Sequence, residues 1–262
     1  PAMLSAYFHR FMAGPNVVLA VFGDIDNDRA EARVRKLFAG LPAKLSSPRP
    51  VVASEPAVDR EVLYVKAAPP DRKAAGIHVG FRGVDVANTK DRYPLNVLDT
   101  IMSGYRYPGG WLHEALRGGD RDLVYEVHAM NVAGVEPGYF GMYVHRIMME
   151  AVERARAGTF TDEEMKEAKG IILVTDLMQS RTNGERAAQA ATDELYGLGF
   201  DHRDRYATLI ESVTIEDVRR VARQYLTHPI VVVVTPEPKA VDIGVTPTAI
   251  DAAGRPTADG AK

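Results

Sequence analysis

The sequence predicts an α+β fold, and three features carry that expectation. Ile77, Val79 and Phe81 alternate with His78, Gly80 and Arg82, the two-residue period of a half-buried strand. Two further strand-like segments, 122–132 and 138–145, are joined by AGVEPG, a connection that suits an antiparallel hairpin. A long helical block follows and is closed by one more apolar run, Ile230–Val234.

In chain order, a helix is expected at 27–39, with Asp26 as its N-cap and Ala30, Val34, Leu37, Phe38 and Leu41 on one face. Gly40 and Pro42 close it. Residues 42–58 carry four prolines and three serines with no helix or strand period, so they read as a linker. Strands are expected at 60–67 and 76–82, and helices at about 91–103 and 110–117. Thr161-x-x-Glu164 and Thr182-x-x-Glu185 are capping boxes that start helices; Thr214-x-x-Asp217 is a weaker one. A helix at 214–226 passes through His228 and Pro229 into a strand at 230–235. From Pro236 to 262 the chain is rich in Pro, Gly, Ala and Thr and has no aromatic residue, which predicts a disordered tail.

Composition narrows the function classes. A length of 262 residues allows one large domain or two small ones. Thirty-two Lys and Arg against 35 Asp and Glu leave a charge of −3, which gives no reason to expect nucleic acid. With no cysteine, disulfides, thiolate nucleophiles and Cys-based metal sites are excluded. The longest apolar runs fall far short of the roughly 20 residues of a membrane helix. The opening PAMLSAYFHR carries no basic-then-apolar leader and reads as the middle of a larger protein.

One stretch repeats. FMAGPNVVLAV (11–21) aligns without gaps on YLTHPIVVVVT (225–235), at an offset of 214 residues. The reading is a tandem duplication: 1–41 would end a preceding unit, and 59–235 would be most of the next.

Catalytic motifs are missing. HExxH and HxxEH, which would set two zinc-binding histidines and a glutamate on one helical face, do not occur. The nearest approach, His113-Glu-Ala-Leu-Arg117, has an always-charged guanidinium where the second ligand would stand. GxSxG, a Walker loop and GxGxxG are also missing. The segment 104–131 is of more interest. There a short helix ending in Leu116–Arg117 leads through a Gly-rich turn into a strand carrying Tyr125. A guanidinium and a phenol at the mouth of that turn would be suited to donate hydrogen bonds to a carbonyl or an oxyanion. A structural alternative is an Arg favoured at a helix C-terminus and a Tyr in a half-buried strand.

Four segments together resemble one family. GPNVVLAVFGDIDNDRAEARVRKLFAGLP is similar to the strand–helix end of the first half of pitrilysin/insulinase-type zinc metallopeptidases. WLHEALRGGDRDLVYEVHA, TFTDEEMKEAKGIILVTDL and ESVTIEDVRRVARQYL resemble successive segments of their second half. The resemblance runs in order over roughly 4–238. It implies a two-layer α+β unit, a mostly antiparallel sheet with helices packed on one face, duplicated and paired around a peptide. In such a unit 1–41 is a helix–strand–helix remnant, 59–235 the non-catalytic peptidase-like domain, and 236–262 a tail.

The same resemblance implies function. Lacking HxxEH, the chain is similar to the non-catalytic half, whose Arg and Tyr reach the substrate; by motif position these are Arg117 and Tyr125. GGDRD reads as a one-residue insertion between them, which makes Arg121 a lesser candidate. The implied cofactor is zinc in the partner half, with none bound by this chain and no cleavage by this chain alone. Implied partners are a peptide or unfolded polypeptide, held by strand addition to a sheet edge, and a homologous HxxEH-bearing half on the same polypeptide or a separate subunit. No membrane span is implied, and the compartment is periplasm or cytoplasm if the source is bacterial. Two rivals remain: an inert pseudo-peptidase scaffold or assembly subunit, and an unrelated α+β binding module.

Overall fold

The structure is a computed structural model that describes residues 1–46, 58–69, 71, 75–104, 109–117, 127–143 and 146–250. Its helices are α1 (Ala2–Phe11), α2 (Asn27–Leu37), α3 (Thr89–Ser103), α4 (Gly110–Arg117), α5 (Arg146–Ala157), α6 (Asp162–Met178), α7 (Asn183–Leu195), α8 (His202–Glu211) and α9 (Ile215–Tyr225). Its strands are β1 (Val62–Ala67), β2 (Gly76–Arg82), β3 (Ala129–Val132), β4 (Tyr139–Tyr143) and β5 (Ile230–Thr235). The chain forms two compact units, Glu55–Leu173 with Leu209–Lys262, and Pro1–Ser54 with Val174–Thr208.

The larger unit carries the sheet, in the order β1-β5-β2-β4-β3. Three pairings are antiparallel; β1 and β5 run parallel, which needs the long connection that lies between them in the chain. Side-chain alternation then separates two faces. Leu63, Val79, Phe81, Phe140, Met142, Val231 and Val233 are buried, whereas Tyr64, His78, Tyr139, Tyr143 and Val232 are at least partly exposed. Full burial of side chains of this size stabilises by about 1.5–3 kcal/mol each. Leu95, Leu98 and Met102 of α3, Leu112 and Leu116 of α4, and Val218 and Val221 of α9 complete that core. The expected two-layer α+β unit is the one observed.

Polar groups fix how the helices close over the sheet. Asp91, in the first turn of α3, accepts from Arg220 of α9, from the Tyr225 hydroxyl at 2.6 Å and from Asn88 Nδ2 at 3.2 Å. Further along α3, buried Asp99 accepts from Ser103 Oγ at 3.0 Å and from the backbone amide of Asn131 in β3 at 3.1 Å. Ser103 Oγ also reaches the carbonyl of Ala129 at 3.1 Å.

The smaller unit has little interior. Among its described residues only Ala13, Ala190 and Tyr206 are buried apolar side chains. Its firmest feature is ionic: Arg203 reaches Asp176 Oδ1 at 2.6 Å and Asp193 Oδ2 at 3.2 Å. Burial is the main cause that raises the Asp176 pKa, with the nearby Asp193 adding to it against Arg203.

The capping boxes form as expected. Thr161/Glu164, Thr182/Glu185 and Thr214/Asp217 each exchange side-chain and backbone bonds, and the third is as complete as the others. Of the strand expected at 122–132, Ala129–Val132 is observed, and 121–126 lie outside the described residues. The apolar run after Pro15 is in no strand, although its counterpart after Pro229 is β5. In the last described segment Thr248 N–H donates to Leu63 O at 2.7 Å, beside a parallel bridge between Leu63 and Pro247.

Candidate functional site

The segment singled out in the sequence is carried by α4, whose observed bounds match the expected 110–117. Gly104 closes α3 in the left-handed conformation at φ 77°. Gly110 opens α4 at φ +74°, and a Cβ there would lie 2.6 Å from Ile101 O. The N-terminus of α4 is therefore pressed on the last turn of α3, a closeness that glycine alone permits.

Trp111 holds the other side of this helix. Its ring stacks on Phe160 with centroids 5.5 Å apart and lies 3.7 Å beneath the Arg154 guanidinium. Its Nε1 donates to Glu164 Oε1 at 2.7 Å, the atom that also receives Arg154 at 2.7 Å. Burial raises the Glu164 pKa, but hydrogen bonds from Thr161 and Trp111 and the charge of Arg154 outweigh it and hold the carboxyl below its ordinary range. The capping box of α6 and the indole of α4 thus share one ionised carboxylate.

Arg117 is the last residue of α4, so its backbone sits on this braced helix. Tyr125 and Arg121 lie outside the described residues. Among the described residues no cluster of three His, Asp or Glu side chains could hold a metal ion. The described side chains do not fit a zinc centre.

Both sheet edges are engaged by hydrogen bonds, and on β3 Ser103 Oγ holds the Ala129 carbonyl. On β3 the outward amide of Asn131 is taken by Asp99, and on β1 the Leu63 carbonyl accepts from Thr248. A peptide strand added at either place would have to displace these bonds.

Sequence reading passed over a cluster on the exposed sheet face. His78 stands opposite Tyr143 and Gly80 opposite Gly141 in the β2–β4 register. The His78 ring meets Tyr143 edge-on at 4.9 Å and Tyr139 at 6.1 Å. A Cβ on Gly141 would lie 2.9 Å from the Tyr139 ring and 3.0 Å from His78 Nε2, so the rings close over that glycine. Desolvation lowers the His78 pKa and favours the neutral imidazole. The two-residue alternation of 77–82 and 138–143 was the available signal, but only the register unites them.

The fold is an open, mostly antiparallel sheet under a helical layer. The chain belongs to peptidase family M16, matching that family's inactive domain over residues 1–172. The family resemblance of the sequence is borne out, and the unrelated binding module is overturned. No curated protein matches. Among solved structures, the fold is similar to a peptidase M16 inactive domain from Pseudomonas fluorescens, at TM-score 0.74 and 20% identity over 94% of this chain and 58% of that one. A protease from Helicobacter pylori matches at TM-score 0.71 and 18% identity, over 82% of this chain and 53% of its own. The periplasmic protease PqqL from Escherichia coli matches at TM-score 0.58 and 16% identity, over 82% of this chain and 24% of its own. The chain spans little more than half the length of the first two. Among the described residues no helix is long and apolar enough to cross a membrane.

Proposed function

We propose that this chain is the substrate-binding, non-catalytic half of a zinc-dependent metalloendopeptidase of the insulinase/pitrilysin type. The observation that carries the reading is its membership in the inactive domain of a peptidase family. Zinc, its ligands and the general base belong to a homologous HxxEH-bearing half, on the same polypeptide or another subunit. Arg117 and Tyr125 bind the peptide and donate hydrogen bonds to its carbonyl oxygen as negative charge develops there, a contribution that grows toward the transition state. The bracing of α4 supports this role, because a donor stabilises an oxyanion without reorganisation only when its carrier is held in place.

The test is peptidase activity of this chain mixed with the polypeptide encoded upstream, with and without Arg117→Ala and Tyr125→Phe. The expected outcome is zinc-dependent cleavage that needs both polypeptides and falls about 100-fold or more with Arg117→Ala. Full activity without this chain, or indifference to both substitutions, would establish the inert scaffold instead.

A further inference from the structure

The two edges of the sheet are closed by different means. On β3 the closing groups are Asp99 and Ser103 of α3, both buried, which cannot leave without opening the helical layer. On β1 the closing group belongs to the segment that follows β5. From Thr235 the chain makes a short 3-10 turn at Pro238–Ala240, which packs on β1 and β5, and returns along the outer side of β1. There Thr248 N–H donates to Leu63 O at 2.7 Å, and Pro247 stands opposite Leu63 in a parallel bridge. No side chain anchors this strap in the core, because no residue from 236 to 250 is buried.

The edge beneath the strap has the form of a strand acceptor. Val62 N–H donates to Pro229 O and Ala68 N–H to Thr235 O, so the even-numbered residues of β1 turn their backbone groups to β5. In a parallel pair the N–H and C=O of one residue point to the same side, so Leu63 and Val65 present theirs to the outer edge. Edge strands are commonly defended by charge, proline or a bulge, yet Val62, Leu63, Tyr64 and Val65 offer neither charge nor proline. The strap itself shows what this edge takes. Its sequence over 243–250, IGVTPTAI, is uncharged and made mostly of small and β-branched residues.

We infer that the outer edge of β1 is a peptide site and that residues 243–250 are its built-in competitor. An extended, uncharged stretch of polypeptide lies parallel to β1, bonds the Leu63 and Val65 backbone, and takes the place of the strap. The main-chain bonds that the strap gives up are the ones the peptide makes, so the exchange is close to balanced. A folded protein has no free strand to offer, and the strap therefore selects for unfolded segments. This rests on the proposed function only for the peptide's role as substrate; the edge and its occupant follow from the sheet.

The test is binding of a labelled peptide with the strap's own sequence, IGVTPTAI, to the full chain, read by fluorescence anisotropy. Thr248→Pro removes the donated amide outside the core, and should tighten the peptide about tenfold, the weight of one such bond, at an unchanged melting temperature. Val62→Cys with Thr246→Cys sets two thiols one register step from the Leu63–Pro247 bridge, in a chain with no other cysteine. Neighbouring strands lie about 4.8 Å apart, so a short thiol cross-linker can close that pair. The closed form should lose the peptide, and the open form should bind it as the wild type does. Equal affinity in the two forms overturns the inference, as does a pair that will not cross-link, or no binding even with Thr248→Pro. The peptidase reading fails separately. Strap-dependent binding without cleavage in the mixture with the upstream polypeptide sinks that reading alone; zinc-dependent cleavage indifferent to closing the strap sinks this one alone.

Discussion

Asp91 joins the start of α3 to α9, and its titration should be legible in stability. Burial alone would raise its pKa, but hydrogen bonds from Tyr225, Arg220 and Asn88, with the Arg220 charge, hold it below the ordinary carboxylate value. A depressed carboxyl contributes stability that is present above its unfolded pKa, near 4, and lost as pH falls through the folded value. Tyr225 has the opposite sign. Burial first, then Asp91, push its phenol up to about 12. Its share of stability is therefore complete below about pH 10 and is lost as pH rises toward 12. Urea unfolding should show Asp91→Asn less stable by about 2–3 kcal/mol at pH 7, with a flatter loss between pH 5 and 3. Tyr225→Phe should cost about 1.5–3 kcal/mol and flatten the alkaline limb. Equal slopes in wild type and variants would refute the assignment.

At the scale of elements, α4 and its neighbours show what a sequence makes legible. Caps and breakers act within a few residues, so α4 was readable to the residue from its glycines and apolar spacing, and α6, α7 and α9 from their threonines. The Thr214 box looked weaker because Asp is shorter than Glu, yet Asp217 reaches the Thr214 hydroxyl at 2.6 Å. Long-range pairing was not legible. The Asp99–Asn131 bond that closes the β3 edge and the rings gathered over Gly141 depend on register, which no local signal encodes. The candidate pair was readable only by resemblance, since Arg and Tyr have ordinary structural uses at a helix end and in a strand. Gly110 offers the sharpest test of the α4 platform. Gly110→Ala places a Cβ against Ile101 O in a left-handed backbone, and should cost about 2–4 kcal/mol, measured by chemical denaturation. In the mixed peptidase assay its activity should fall beyond the loss of folded protein. An unchanged midpoint would mean that α4 is free to shift.

For the whole molecule, the uneven distribution of apolar burial has a calorimetric consequence. The unit built from Glu55–Leu173 and Leu209–Lys262 owns the sheet and nearly all of the fully buried side chains. The unit built from Pro1–Ser54 and Val174–Thr208 leaves Met3, Leu4, Tyr7, Phe8, Leu37, Leu177 and Phe200 exposed. A cooperative transition needs a shared interior, because conformational entropy is offset only where side chains leave water together. An evenly packed chain of 262 residues would unfold with roughly 180 kcal/mol near 60 °C, at about 0.7 kcal/mol per residue. If the sheet-bearing unit supplies the cooperative transition, the isolated chain should show roughly 120 kcal/mol instead. Native-state hydrogen exchange should agree, with α3, α9 and β5 opening only on global unfolding and α1 and α2 exchanging far sooner. A single transition with the full enthalpy would show instead that both units unfold together, and the uneven burial would not divide the chain's cooperativity.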